Sequence, residues 1–224
     1  MFKESKDTQR VFLIYGPPGS GKTSIAREIC RIIDWKYISV GEITRREISK
    51  GTSLGNRIKD CLERVVEYPP ELIAEVMNPY ITEAICQGKC LVIDGYPKYA
   101  REVPLFCKLI RESGLAVAGV VVLDVSFKEA LKRSRGRRVC INCGFHTKEA
   151  IRYCTICGEE MRGRDDDEFE VFSRRFRDHL ESVQETLDTL RKESPFLRIC
   201  QINADLDFSR VLEEVYNFFT DTPG

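Results

Sequence analysis

Residues 16–23 read Gly-Pro-Pro-Gly-Ser-Gly-Lys-Thr, a spacing suited to holding a row of phosphates. Gly16, Gly19 and Gly21 let backbone N–H groups wrap an anion, and a helix starting across Ser20 to Thr23 adds its dipole. Lys22 supplies a point charge for the β and γ phosphates of a nucleoside triphosphate. A metal on those phosphates needs an acid at the end of another buried strand, and Asp94, followed by Gly95, stands at one. By itself an Asp-Gly pair would signal only a turn.

A second constellation lies further along. Cys140-x-x-Cys143 and Cys154-x-x-Cys157 form two knuckles separated by ten residues, each followed by a glycine (Gly144, Gly158) that permits a tight turn around thiolates. Four thiolates suit a closed tetrahedral zinc site, which leaves no position for water and is therefore structural. The alternative is a pair of disulfides, which a reducing compartment disfavours. Arg133 and Arg137 precede this stretch, and Arg164 and Arg175 follow it at a separation of eleven, close to three helical turns. Taken singly, each arginine reads as solvated charge on a helical face. His146 and His179 read as exposed residues, one in a loop and one on a helix.

These residues must be positioned by regular elements. A short β-rich run, 10–15, leads into the glycine loop, and helical periodicity follows over 24–33. Another short run, 36–40, is followed by helical segments from 42 to 87, broken at 50–53 and at 68–70 where Gly and Pro intervene. The runs 90–95 and 117–125 read as buried strands with a helix, 100–113, between them. Strands that are apolar on both faces predict a parallel sheet covered by helices, a doubly wound α/β core. Phe169, Phe172, Phe176, Leu180, Val183, Leu187 and Leu190 recur at steps of three and four and mark one long amphipathic helix. A strand at 197–202 and a helix at 208–219 close the chain.

Composition narrows the function. Lys plus Arg and Asp plus Glu are 35 each among 224 residues, so no basic surface points to nucleic acid. The polar N-terminus MFKESKDTQR and the strand-length apolar runs predict neither leader nor membrane span, and hence a cytoplasmic protein. Six cysteines, Cys30, Cys61, Cys86, Cys90, Cys107 and Cys200, sit singly in apolar patterns and are expected as buried free thiols.

In order along nearly the whole chain, the sequence resembles the adenylate kinases of the nucleoside monophosphate kinase superfamily, in the form whose lid carries a zinc ribbon. The resemblance rests on GPPGSGKT, on SVGEITRREISKGTSLG, on IDGYPK, which is similar to the family's Asp-Gly-Phe-Pro-Arg, on RSRGRR before the cysteines and on RDDDEFEVFSRR after them. It implies a P-loop NTPase core of 1–39, 69–134 and 165–224, with a central parallel β-sheet flanked by helices. It also implies a helical NMP-binding subdomain at 40–68 and a zinc-ribbon lid at 135–164. The activity it implies is reversible magnesium-dependent transfer of the γ-phosphoryl group of ATP to AMP. Lys22 would hold the donor phosphates, and Asp94 would orient magnesium. Arg133, Arg137, Arg164 and Arg175 would clamp the transferring group, with Arg133 stacking on the donor base. Arg45 would bind the acceptor phosphate, and Asp166 and Asp167 would orient the lid arginines. The implied cofactors are Mg2+ and structural Zn2+. No nucleic-acid or membrane partner is implied, and the chain would act as a monomer or small homo-oligomer.

Four positions depart from the family pattern. Lys98 stands in place of an arginine, Val40 in place of a hydroxyl residue that meets the acceptor base, and Glu102 in place of a glutamine that reads adenine. Thr23 follows Lys22 directly where the family has Gly then Thr, which leaves Thr23 or Ser24 as the hydroxyl for magnesium. CMP, UMP or dAMP are therefore open as acceptors. A reading of another class, a P-loop switch whose zinc ribbon contacts RNA, needs neither a second nucleotide pocket nor four converging arginines.

Overall fold

The computed structural model describes residues 9–64, 66–140, 142, 145–147, 149–163 and 167–221. Cys143, Gly144, Arg164 and Asp166 lie outside the described residues.

Strand β1 (Val11–Tyr15) shows why the sheet is covered twice. Val11, Leu13 and Tyr15 belong to one buried cluster, and Phe12 and Ile14 to another on the opposite face. With β2 (Lys36–Ser39), β3 (Leu91–Asp94), β4 (Val117–Asp124) and β8 (Arg198–Asn203), β1 forms a five-stranded sheet in the order β2-β3-β1-β4-β8. All four pairings are parallel. One face is packed by α4 (Pro70–Cys86), α5 (Val103–Glu112) and the C-terminal half of α7 (Phe169–Glu193). The other is packed by α1 (Lys22–Ile32), α8 (Phe208–Thr220) and the N-terminal half of α7. Asp94 pairs with Ile14 and with Ser39, so the ends of β1, β2 and β3 share one C-terminal edge. That edge is where parallel α/β sheets bind ligands.

Beyond β2, α2 (Val40–Lys50) and α3 (Ser53–Glu63) fold back on each other. The turn between them is set by Gly51, left-handed at φ 62°, and by Thr52, whose hydroxyl accepts the Gly55 N–H at 2.9 Å. The cysteine-rich stretch builds a separate antiparallel sheet, β6-β5-β7, from β5 (Arg138–Cys140), β6 (His146–Thr147) and β7 (Met161–Gly163).

Several expectations change. A helix α6 (Phe127–Ser134), capped by Ser126, precedes the cysteines where the sequence suggested none, and α5 is preceded by a 3-10 turn over Ala100–Glu102. Of the six single thiols, Cys30, Cys90 and Cys107 are buried, whereas Cys86 is exposed and Cys61 and Cys200 are half-buried. On α7, Phe169 and Leu180 are 57% and 55% exposed, so two of the seven stripe residues face outward. Arg175 lies on α7, which begins at Phe169, and the expected three-turn relation of Arg164 to Arg175 falls outside the described residues. Among the described residues no helix is long and apolar enough to cross a membrane.

Candidate active site

The glycine loop joins β1 to α1 in the strand–loop–helix setting its spacing predicts. Gly19 has φ +81°, and a Cβ there would collide with the Ala130 backbone, so only glycine lets the loop pass α6. Gly21, at φ +88°, caps α1 without a side-chain hydrogen bond. The first N–H groups of the helix are thus not met by a capping side chain, the arrangement that attracts a phosphate. Ser20 is buried within the loop, and the Lys22 ammonium folds over it to donate to the Pro17 carbonyl at 3.3 Å. Gly16 closes the end of β1.

Asp94 is 4% exposed and its Oδ2 accepts two hydroxyls, Tyr37 at 2.8 Å and Thr23 at 3.3 Å. Burial, and then the Asp94 charge, drives the Tyr37 phenol far above its ordinary pKa, so it stays a donor to the acid. Thr23 is therefore the hydroxyl beside Asp94. Ser24 instead lies 3.0 Å from His146 Nε2 on β6, across the gap between the main sheet and the cysteine-rich one. His146 is half-buried and not the exposed loop residue its sequence context suggested. A carboxylate and a hydroxyl next to a phosphate loop are hard oxygen donors, and they fit a magnesium ion accompanying a triphosphate.

The arginines divide. Arg137 makes a fork to Asp167, with Nε 3.0 Å from one oxygen and Nη2 2.6 Å from the other, and both side chains are largely buried. This pair ties the root of β5 to the segment before α7. Arg133 turns elsewhere: it bonds the Ala204 carbonyl at 2.7 Å, the Leu206 carbonyl at 3.4 Å and Glu129 at 3.0 Å. Arg133 therefore lies against the loop after β8. Arg175 is on α7, and its charge acts on Lys98, whose pKa is lowered by burial first and then by that guanidinium. Arg45 is half-buried and lies back along α2 toward Gly41, whose neighbour Glu42 pairs with Arg27 at 2.8 Å.

Beyond Asp94 the chain turns at Gly95, φ +81°, where an added Cβ would touch Val40. Lys98 bonds the Tyr99 hydroxyl at 2.7 Å. Nearby Arg101 is taken up by an ion pair with Glu67. Glu102 is 3% exposed, and its Oε2 accepts the Lys98 N–H at 2.6 Å and the Tyr99 N–H at 3.5 Å. Its carboxylate holds this turn together, a role its sequence position did not announce. Burial raises its pKa while those two amides oppose the rise.

In the small sheet, the sulfurs of Cys140, Cys154 and Cys157 all lie within 4.8 Å of one another, and Cys140 and Cys157 are 3.4 Å apart. Cys154 Sγ accepts the Ile156 N–H at 3.4 Å, and Gly158 supplies the left-handed turn after the second knuckle. Three convergent cysteine sulfurs could hold a soft or borderline metal.

Residues 14–196 match the family model for adenylate kinase. The chain belongs to the adenylate kinase family. It is 30% identical over 213 residues to an adenylate kinase of Petrotoga mobilis, an alignment covering 92% of this chain and 95% of that one. Against an adenylate kinase of Pyrococcus furiosus the identity is also 30%, with 84% and 86% covered. For one of Thermosipho melanesiensis it is 29%, with 92% and 97% covered. Membership makes the chain an enzyme, a nucleoside monophosphate kinase.

Two features of this family member were missed in the sequence. Tyr37 at Asp94 gave no signal, because a strand tyrosine reads as core. His179 did give one: it sits four residues from Arg175 on α7, between the buried Phe176 and Leu187.

Proposed function

We propose that the enzyme transfers the γ-phosphoryl group of ATP to AMP, reversibly, giving two ADP, with magnesium at Asp94 and Thr23. The observation that carries this reading is a set of cations gathered beyond the C-terminal edge of the sheet, which we read as two phosphate sites. Lys22 marks one, and Lys98 with Arg175 marks the other. An acceptor phosphate is already ionised, so no general base is required. Catalysis is then positioning plus neutralisation of the equatorial oxygens by Lys22, Arg137 and Arg175, with Arg164 assigned to the same task by the resemblance alone. Asp94 and Thr23 would hold the magnesium ion, which would supply positive charge to the donor phosphates. Closure of the cysteine-rich lid over Ser24 through His146 excludes water.

The lid metal we assign as zinc, held by Cys140, Cys143, Cys154 and Cys157, because four cysteines at knuckle spacing suit its tetrahedral shell. Outside the knuckles, the six single thiols Cys30, Cys61, Cys86, Cys90, Cys107 and Cys200 favour a cytoplasmic setting. Donor-base contact we place at Arg133 and the carbonyls of Ala204 and Leu206.

Acceptor choice is expected to be relaxed. Val40 offers only apolar contact beside Gly95, and Glu102 is committed to the amides of its own turn. Neither provides the donor and acceptor pair that an amide side chain would present to adenine. The test is a coupled turnover assay with MgATP against AMP, dAMP, CMP, UMP and GMP, with ATP alone as control. Acceptor-dependent turnover is expected with AMP and at least one other acceptor. Strict AMP selectivity would refute the relaxed pocket. ATP hydrolysis without stimulation by any acceptor would refute the transfer reaction itself and return the weight to a nucleotide switch.

A further inference from the structure

One residue near both phosphate sites has no part in the chemistry above. The inward face of α7 runs Arg175, His179, Ser182, Thr186 at steps of four, three and four. Thr186 Oγ1 donates to the Lys98 carbonyl at 3.1 Å, which pins this face to the turn after β3. His179 stands one turn past Arg175 and two turns before Thr186 on that face, where the charges of both Lys22 and Lys98 act on its half-buried ring. The charges that reach its ring come from two elements, Lys22 at the start of α1 and Lys98 in the turn after β3. Lys98 in turn feels Arg175 and Asp178 from α7, Glu102 from its own turn and Glu67 from beyond α3.

We infer that His179 is a phosphate ligand of the transfer centre that takes up a proton when the polyphosphate arrives, so that nucleotide binding is coupled to proton uptake near neutral pH. The inference rests on the nucleotide reading above. Without nucleotide, burial and then the Lys22 and Lys98 charges push the His179 pKa down to about 3, and the ring is neutral. A bridging polyphosphate brings several negative charges between those two lysines. Opposite charge close by favours the protonated imidazole, which then donates to a phosphate oxygen through a charge-assisted hydrogen bond. A neutral ring lets the empty site tolerate its cations, and a charged ring adds to them when phosphate is present.

The test uses the full chain and diadenosine pentaphosphate, two adenosines joined by five phosphates. That ligand spans both sites and lacks the terminal phosphate whose second proton titrates near pH ~6 in a monophosphate. Calorimetry in buffers of different ionisation enthalpy measures protons bound with the ligand. Uptake of about half a proton or more is expected near pH ~6.5, falling toward zero by pH ~8.5 as the bound imidazole ceases to protonate. His179→Gln should bind more weakly and take up almost none. The chain has two histidines, so imidazole nitrogen spectra contain two rings, assigned with His146→Gln. In unaltered protein the His179 ring should be neutral when free and doubly protonated in the complex at pH ~6. Absence of binding would refute the nucleotide reading. Binding without uptake, uptake that survives in His179→Gln, or a His179 ring that stays neutral in the complex would overturn the role of His179 alone.

Discussion

The sheet edge and the cysteine-rich lid hold functional groups by opposite means. Asp94 and the glycine loop emerge from strands whose neighbours are apolar and buried on both faces, and two large clusters fix them. The lid encloses Cys140, Cys154 and Met161, with Phe145 and Ile151 packed against them. The few apolar side chains clustered among the described residues cannot by themselves offset the entropy of ordering some 25 residues, at roughly 1–2 kcal/mol for each backbone unit. We infer that the lid depends on what is added to it: the Arg137–Asp167 fork, the contact of His146 with Ser24 and the metal proposed at its cysteines. Rigidity at the edge and conditional order in the lid suit the proposed transfer, in which the lid would open for nucleotides and close against water.

The contrast is sharpest in two charge deletions, which also carry the largest expected effects. Lys22→Ala should lower turnover by about 10²–10³-fold while leaving the melting temperature nearly unchanged, since the sheet does not need the ammonium. Arg137→Ala should lower turnover comparably and also loosen the lid, because a largely buried Asp167 loses its partner. Turnover with thermal melting checks both. A near-normal rate in either variant removes that residue from the catalytic set, and equal melting of the two would mean the lid is as self-sufficient as the sheet.

Metal removal comes next. Chelation, or Cys140→Ser, should lower the melting temperature by about 5 °C or more, since a chain of this size shifts about 2–4 °C per kcal/mol and a structural metal contributes directly to folding. Turnover at low temperature should change less than stability does. Equal melting with and without chelator would count against a structural metal and leave the three thiols as a chance cluster.

What could be read in advance follows the same division. The glycine loop, the buried strands and the cysteine knuckles are local patterns with one physical use each, so their place in the chain was legible. The edge that unites Thr23, Tyr37 and Asp94 is set by strand register, which no local pattern contains. Periodicity found α7 but misassigned its faces. Phe169 and Leu180 fit the apolar spacing and point outward, while His179, a polar residue on the inward face, was read as exposed. A polar side chain on a buried stripe near an arginine at four-residue spacing is the kind of exception that marks a site rather than a core.

The smallest expected effect tests whether Glu102 belongs to the edge as scaffold or as reader. Its folded pKa is raised, with burial outweighing the two amide hydrogen bonds. For a carboxyl raised in the folded state, the protonated form is favoured. That contribution is fully present below the unfolded pKa, near 4.3, and is lost as the pH rises through the folded value. Glutamine keeps an oxygen for the Lys98 and Tyr99 amides and removes the buried charge. Glu102→Gln should therefore gain on the unaltered protein in stability as pH climbs from about 4 toward neutrality, then hold a constant lead. Denaturant unfolding at stepped pH would show it. The ranking of acceptors should stay the same, because the side chain faces its own turn. A parallel pH dependence for the two proteins would mean that water reaches the carboxylate. A switch toward AMP in the glutamine variant would mean that it reaches the base, and the edge would then be less rigid than its burial implies.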